Sequence, residues 1–361
     1  YHVCLLSKTT CNEIIFSCLL LARSARMLKE LFENNKNIII NTDIDGVLCG
    51  AILVKYFNCN IVGFTNSKDC VWLADEYDDL YSHVYVDMFV TDERTICVDQ
   101  HIVAVNAMHQ QSIIRSQTKY SPQIDGNRIF TDYDFANKYP FGTVQYLIAQ
   151  LESEGVHINL PALSSNVPNS SIRFGDLVQR ADDAMKTTLC AYQRNAANWW
   201  KWLIEKSGNG PVTTELYKYL DSIRQSVAQE VEYARGKSFD DRLKDRVESI
   251  KLDTKRYFAE NYSCRTGDGG FKNILDENDN ILLCFSNYVK TIGTLLGCEV
   301  DVPSHYKVHK GEYCRTRWID IFEKDFLKDY TICGHKVFSY AFIYGRGNDS
   351  TTNFSFTVDM Q

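Results

Sequence analysis

Asp43 and Asp45 stand one residue apart in "IIINTDIDGVLCGAILVKYF" (38–57), where an apolar run, an Asp-x-Asp-Gly and a second apolar run fill twenty positions. Further acids follow in order: Asp87 inside "VYVDMFV", Asp99 with His101 in "RTICVDQHI", and Asp176, Asp182 and Asp183 in "FGDLVQRADDAM". Carboxylates gathered at one place repel one another, so their grouping makes physical sense when divalent cations compensate the charge. Hard oxygen donors with one imidazole suit Mn²⁺ or Mg²⁺ better than zinc or copper. Two such ions ~3.5–4 Å apart would clamp the attacking and leaving oxygens of a phosphoryl displacement and activate water. The same Asp-x-Asp-Gly also serves another chemistry, in which the first aspartate attacks phosphorus. Any one of these clusters is what an ordinary turn or helix N-cap uses. Three in order carry the reading.

The elements that must position these residues follow from hydrophobic pattern. "CNEIIFSCLLLARSARMLKELFENN" has helical spacing and ends at Asn-Asn. "NIII" predicts a strand buried on both faces, "GVLCGAILVKYF" a buried helix and "CNIVGFTN" the next strand. "HVYVDMFV" and "RTICVDQHI" predict two more strands with acids at their ends. Strand–helix–strand repetition predicts an α/β fold with an open, mainly parallel sheet flanked by helices, whose ligands bind beyond the carboxyl ends of the strands. "GTVQYLIAQLESEG" predicts one amphipathic helix, and helical signal runs on through "NWWKWLIEKSG" and two charged segments to about residue 264. The tail, with "HKVFSYAFIY" and "NFSFTV", predicts a smaller α/β domain ending in strands. The expected divisions are 1–205, 206–264 as a helical connector, and 265–361.

Bulk properties bound the class. At 361 residues, 45% hydrophobic and 24% charged, the chain has enough apolar side chain for two cores. A net charge of −7 argues against a polycation that coats nucleic acid. Residues 1–200 carry 16 Lys+Arg against 22 Asp+Glu, and residues 201–361 carry 23 against 24, so the acidic excess lies in the half holding the aspartates. Thirteen cysteines without a Cys-x-x-Cys pair predict reduced thiols and a cytoplasmic protein, with no disulfide framework and no structural zinc. "FSCLLLA" is too short to span a bilayer, and no small-residue cleavage site follows it.

With those residues in view, the chain resembles the DHH phosphoesterase superfamily over roughly residues 35–190. "NTDIDGVLCGAIL" matches the first motif, the strand aspartate of "VYVDMFV" the second and "VDQHI" the third, and "YPFGTVQYLIAQL" is similar to the helix that follows. The resemblance implies a phosphodiesterase of nucleotides, short oligonucleotides or single-stranded nucleic-acid ends, using two Mn²⁺ or Mg²⁺ ions, or one. It implies that Asp43 and Asp45 hold different metals, that Asp87 bridges them, and that Asp99 and His101 frame the site. The fourth-motif aspartate would be Asp182 or Asp176. Two positions depart from the family pattern. Gln100 replaces the first histidine of Asp-His-His, and Asn41 stands nearest the place of an acid or histidine before the Asp-x-Asp pair. Each removes charge or a strong donor, so a DHH-like module that binds a nucleotide or nucleic acid with little catalysis is the alternative. The nucleophilic-aspartate design, resembling the haloacid-dehalogenase phosphatases, is disfavoured because Asn41 and Thr42 separate strand from motif and because it leaves Asp87 and "VDQHI" unexplained.

The resemblance also implies a second domain that closes over the site. Here the tail has Cys333-Gly334-His335 but no Gly-Gly-Gly-His, so that domain is divergent or incomplete. "HYKVHKGEYCRTRW" interleaves Lys307, Lys310, Arg315 and Arg317 with Tyr306, Tyr313 and Trp318, a pattern for neutralising phosphates and stacking on bases. A solvated strand–turn–strand explains the same segment. "NWWKWL" is expected in the core, His83, His109 and His157 are expected at the surface or with satisfied partners, and "GDGG" (267–270) is expected to be a plain turn.

Overall fold

A computed structural model describes residues 27–104, 107–126, 138–160, 190–229, 270–321, 324–342 and 354–361, with shorter pieces between 236 and 262. Asp176, Asp182, Asp183 and most of the N-terminal segment with helical spacing fall outside the described residues.

Helix α1 (Leu28–Asn34) leads into strand β1 (Asn37–Asn41), the centre of a seven-stranded sheet. Its neighbours are β2 (Asn60–Thr65) and β4 (Val84–Val86), both parallel to it. Beyond β4 come β5 (Cys97–Val98) and β6 (Lys119–Tyr120), again parallel. On the other side β3 (Cys70–Ala74) pairs antiparallel with β2, and β7 (Tyr306–Lys310) antiparallel with β3. The side-chain alternation of a strand decides which layer each residue joins. Ile38 and Ile40 pack with the helices, while Ile39 faces the opposite core.

Helix α2 (Ile44–Phe57) begins because Asp43 accepts the Gly46 N–H at 3.0 Å as N-cap, and it ends at Asn58 in the left-handed conformation (φ 52°). Lys55, in its last turn, donates to the Leu296 carbonyl at 2.7 Å and so ties the end of α2 to a segment far along the chain. Gly46 is required by close approach, since a Cβ there would lie 2.4 Å from the Asn41 carbonyl oxygen. Thus the glycine of Asp-x-Asp-Gly lets α2 start directly over the end of β1.

The helical face of the sheet is covered by α2, then α5 (Thr143–Ser153), α6 (Cys190–Lys206) and α8 (Leu283–Leu295), with Trp199, Leu203 and Phe285 fully buried. Helix α7 (Pro211–Gln229) packs on α5 and α6. The opposite face meets α3 (Ala107–Ser116), the single turn α4 (Pro122–Asp125), α9 (Lys324–Asp329) and a second, antiparallel sheet. That sheet has the order β8 (Glu312–Thr316), β11 (Phe354–Val358), β10 (His335–Phe342), β9 (Thr331–Ile332). Its core groups Phe326, Tyr340, Phe342 and Phe354; each phenylalanine so buried contributes roughly 1.5–3 kcal/mol. Thr91 fastens the two sheets by donating its N–H to the Phe338 carbonyl and its hydroxyl to that of Val337.

The strands and helices expected at 37–40, 46–57, 59–66 and 142–155 are present as Asn37–Asn41, Ile44–Phe57, Asn60–Thr65 and Thr143–Ser153, and Trp199 and Trp200 are core residues. Strand β3 was not expected from the sequence. "HYKVHKGEYCRTRW" does form two strands, but they pair with β3 and β11 and not with each other. The last strand of the large sheet therefore comes from the region grouped by sequence with the C-terminal unit. Among the described residues no helix is long and apolar enough to cross a membrane.

Candidate metal centre

The carboxyl ends of β1, β4 and β5 converge beside the N-terminus of α5. Asp45, Asp87 and Asp99 there are at most 1% exposed, so three carboxylates sit away from water. Burial at this level demands compensation by donors or cations.

The donors can be traced. Asp45 gives both oxygens to α5, accepting the Thr143 N–H and the Val144 N–H, each at 2.8 Å. These amides are among those a helix leaves unsatisfied at its start, and the helix dipole favours an anion there. The N-cap of α5 is Gly142, where a Cβ would lie 2.6 Å from Asp45 Oδ2. Asp87 follows β4 with φ 60°, a left-handed backbone that aspartate tolerates at a small cost. Its N–H donates to the Val98 carbonyl at 3.0 Å, which holds it in register with β5. Asp87 Oδ2 accepts from Asn41 Nδ2 at 3.1 Å, and Oδ1 from the Thr143 hydroxyl at 2.7 Å.

Asp99 Oδ1 accepts the backbone N–H of His101 at 3.0 Å and lies 2.8 Å from His101 Nδ1. Its other oxygen, Oδ2, is buried without a hydrogen-bond partner. An orphaned buried carboxylate oxygen is costly unless a cation or water meets it. Asp87, Asp99 and His101 each offer a ligand atom, all within 4.8 Å of one another. Two carboxylates and an imidazole make a donor set that fits Mn²⁺ or Mg²⁺, the imidazole favouring manganese. Nδ1 of His101 faces Asp99, which leaves Nε2 as the ring nitrogen on the other side. Gln100 Nε2 lies 2.6 Å from that atom and so covers it.

A cavity of about 90 Å³ opens beside this group. Asp87, Asp99 and His101 form one wall, and Tyr313, Ser339, Ser355 and Thr357 of the second sheet form the other.

The expected site residues that are described divide in three. Asp87, Asp99, His101, Gln100 and Asn41 are brought together, with Asp45 joined to them through Thr143. Asp43 is partly exposed and caps α2 from just beyond the end of β1. The four basic residues do not gather as one patch. Lys307 pairs with Asp78, Arg317 with both oxygens of Asp320, and Arg315 donates to the Tyr313 hydroxyl at 2.8 Å. Lys307 and Lys310 lie on β7, four strands from β4, about 19 Å at the usual strand spacing. Of the other histidines, His109 meets the Tyr330 hydroxyl at 2.8 Å and His157 is exposed. His83 is buried edge-on to Tyr77, with Nε2 lacking a partner, and its pKa is pushed down by burial. Gly270, the end of "GDGG", packs against the start of α2, where a Cβ would lie 3.1 Å from that of Asp43.

Sequence reasoning missed Thr143 and Gly142. The signal was a small Gly-Thr pair opening a predicted helix directly after the third acidic motif. Comparison with family models, with characterised proteins and with solved structures returns no match.

Proposed function

We propose that the protein is a divalent-metal-dependent phosphodiesterase of DHH type, acting on nucleotides, short oligonucleotides or single-stranded nucleic-acid ends. The observation that carries this reading is the buried, unpartnered Asp99 Oδ2 within the Asp87–Asp99–His101 group, facing a cleft. Asp87, Asp99 and His101 would hold Mn²⁺ or Mg²⁺, and the ion would supply Lewis-acid stabilisation of charge on the phosphoryl oxygens.

The chain's own residues do the rest. Asn41 and Thr143 hold the two oxygens of Asp87, and Asp99 orients the His101 ring. Asp45 anchors α5, whose N-terminal amides offset the acidic cluster before any cation arrives. Tyr313, Ser339, Ser355 and Thr357 of the second sheet line the other side of the cleft, where a sugar or base attached to the phosphate would lie.

A second reading, a nucleotide- or nucleic-acid-binding module with little catalysis, is favoured by one contact, the Gln100 amide lying over His101 Nε2. Manganese-dependent hydrolysis of bis(p-nitrophenyl) phosphate and of a dinucleotide separates the two. The enzyme reading expects turnover by wild type and its loss in Asp87→Ala. Inactive wild type with activity gained by Gln100→His would establish the binding module.

A further inference from the structure

Thr143 stands where every strand of the acidic site meets helix α5. Its backbone N–H donates to Asp45 Oδ2, its hydroxyl donates to Asp87 Oδ1 at 2.7 Å, and the same oxygen accepts the Gln100 N–H at 3.2 Å. Asp99 Oδ1 lies 3.4 Å from it and already accepts the His101 N–H, with His101 Nδ1 2.8 Å away. A hydroxyl has one proton and two lone pairs, so these contacts occupy its proton and one lone pair. Thr143 is fully buried and β-branched, which restricts its rotamer. It thereby fixes Asp87, at the end of β4, relative to Asp99, at the end of β5, while Asp99 Oδ2 remains for a cation.

We infer that Thr143 is the positioning residue of the metal centre: its hydroxyl holds Asp87 and the Gln100 backbone so that Asp87 and Asp99 present a preformed carboxylate pair to a divalent cation. This rests on the metal-site reading above. Without the hydroxyl, Asp87 Oδ1 loses the α5 donor that holds it against the repulsion of Asp99, and a cation must do the ordering work that Thr143 does in advance. Groups that orient metal ligands in this way commonly govern affinity by about 10- to 100-fold.

The test is Mn²⁺ binding to the intact chain by titration calorimetry, with thermal unfolding measured with and without Mn²⁺. Thr143→Val keeps shape and branching but removes the donor, and is expected to weaken Mn²⁺ binding about 10- to 100-fold. Thr143→Ser restores the hydroxyl and is expected to bind close to wild type. The Mn²⁺-induced rise in melting temperature should shrink in the valine variant and recover in the serine variant. A merely structural hydroxyl would lower the melting temperature equally with and without Mn²⁺. Valine and serine variants binding as tightly as wild type would overturn the inference while leaving the metal site standing. Wild type that binds no Mn²⁺ would overturn both. Should Thr143→Val not fold, Thr143→Ala takes its place with the same expected loss and the same overturning result.

Discussion

Asn41 Nδ2 donates to Asp87 Oδ2 across 3.1 Å, joining the last residue of β1 to the residue that follows β4. A neutral amide at position 41 thus stabilises a buried carboxylate in the metal-free protein, where an acid would repel it. Asn41→Asp should destabilise the metal-free chain by on the order of 2 kcal/mol, through a lost charge-assisted hydrogen bond and a like-charge contact. Added Mn²⁺ should reverse that loss and bind more tightly than to wild type. Urea unfolding with Mn²⁺ and with a chelator measures both; equal stability of the two proteins in chelator would refute the account.

Asp99 poses the opposite case. Its unpartnered Oδ2 and its closeness to Asp87 make it a cost to the empty site and an asset to a filled one. Asp99→Asn should leave metal-free stability unchanged or raise it, because one buried charge is gone. It should also abolish measurable Mn²⁺ binding. A calorimetric titration beside a thermal melt checks the pair of effects, and unaltered Mn²⁺ affinity would remove Asp99 from the site.

The junction of α2 and α5 is sterically closed. Gly142→Ala would place a methyl 2.6 Å from Asp45 Oδ2 and 2.8 Å from Gln145 Oε1, inside van der Waals contact with both. Either Asp45 loses its two amide donors or α5 shifts away from the strand ends. The expected cost is roughly 2–4 kcal/mol, from two hydrogen bonds to a buried charge. Denaturant unfolding reads it, and a cost below about 0.5 kcal/mol, the size of a neutral surface change, would contradict the packing described.

His109 gives a pH dependence separate from the carboxylates of the site. Burial in α3 lowers its pKa from 6.5 to about 4. Between those values the unfolded chain binds the proton and the folded chain does not, so stability falls as pH drops from about 6.5 toward 4 and levels below. The loss attributable to this group reaches on the order of 3 kcal/mol at the acid end. His109→Gln should flatten that slope. Unfolding free energies at pH 7, 5.5 and 4.5 for both proteins test it, and parallel slopes would exclude His109 as the cause.

Much of the scaffold was readable from local pattern, because a strand or helix that must bury a face writes its period into the chain. "NIII", "GVLCGAILVKYF" and "GTVQYLIAQLESEG" form the elements their spacing predicts, and Trp199 lies in the core as expected. The acidic residues could also be read as one group, since Asp87 follows β4 and Asp99 follows β5, neighbouring strands of the same sheet, with His101 two residues further on. What no local pattern contains is the partner across space. Strand β3 was hidden by the polar stretch after it. Strands β7 and β8 find partners more than two hundred and about forty positions away, although adjacency in sequence suggests a hairpin.

The site divides in the same way. Residue type and order settled that Asp43, Asp45, Asp87 and Asp99 sit near one sheet edge, because carboxylates at successive strand ends of a parallel sheet have nowhere else to go. Tertiary structure alone decided their different roles. Asp43 caps its own helix and Asp45 caps α5, whereas Asp87 and Asp99 turn toward His101 and the cleft. The deciding contacts run through Thr143, a residue 44 positions beyond Asp99. Each carboxylate's role depends on which donors reach it, and those donors come from elements that meet only when the chain has folded.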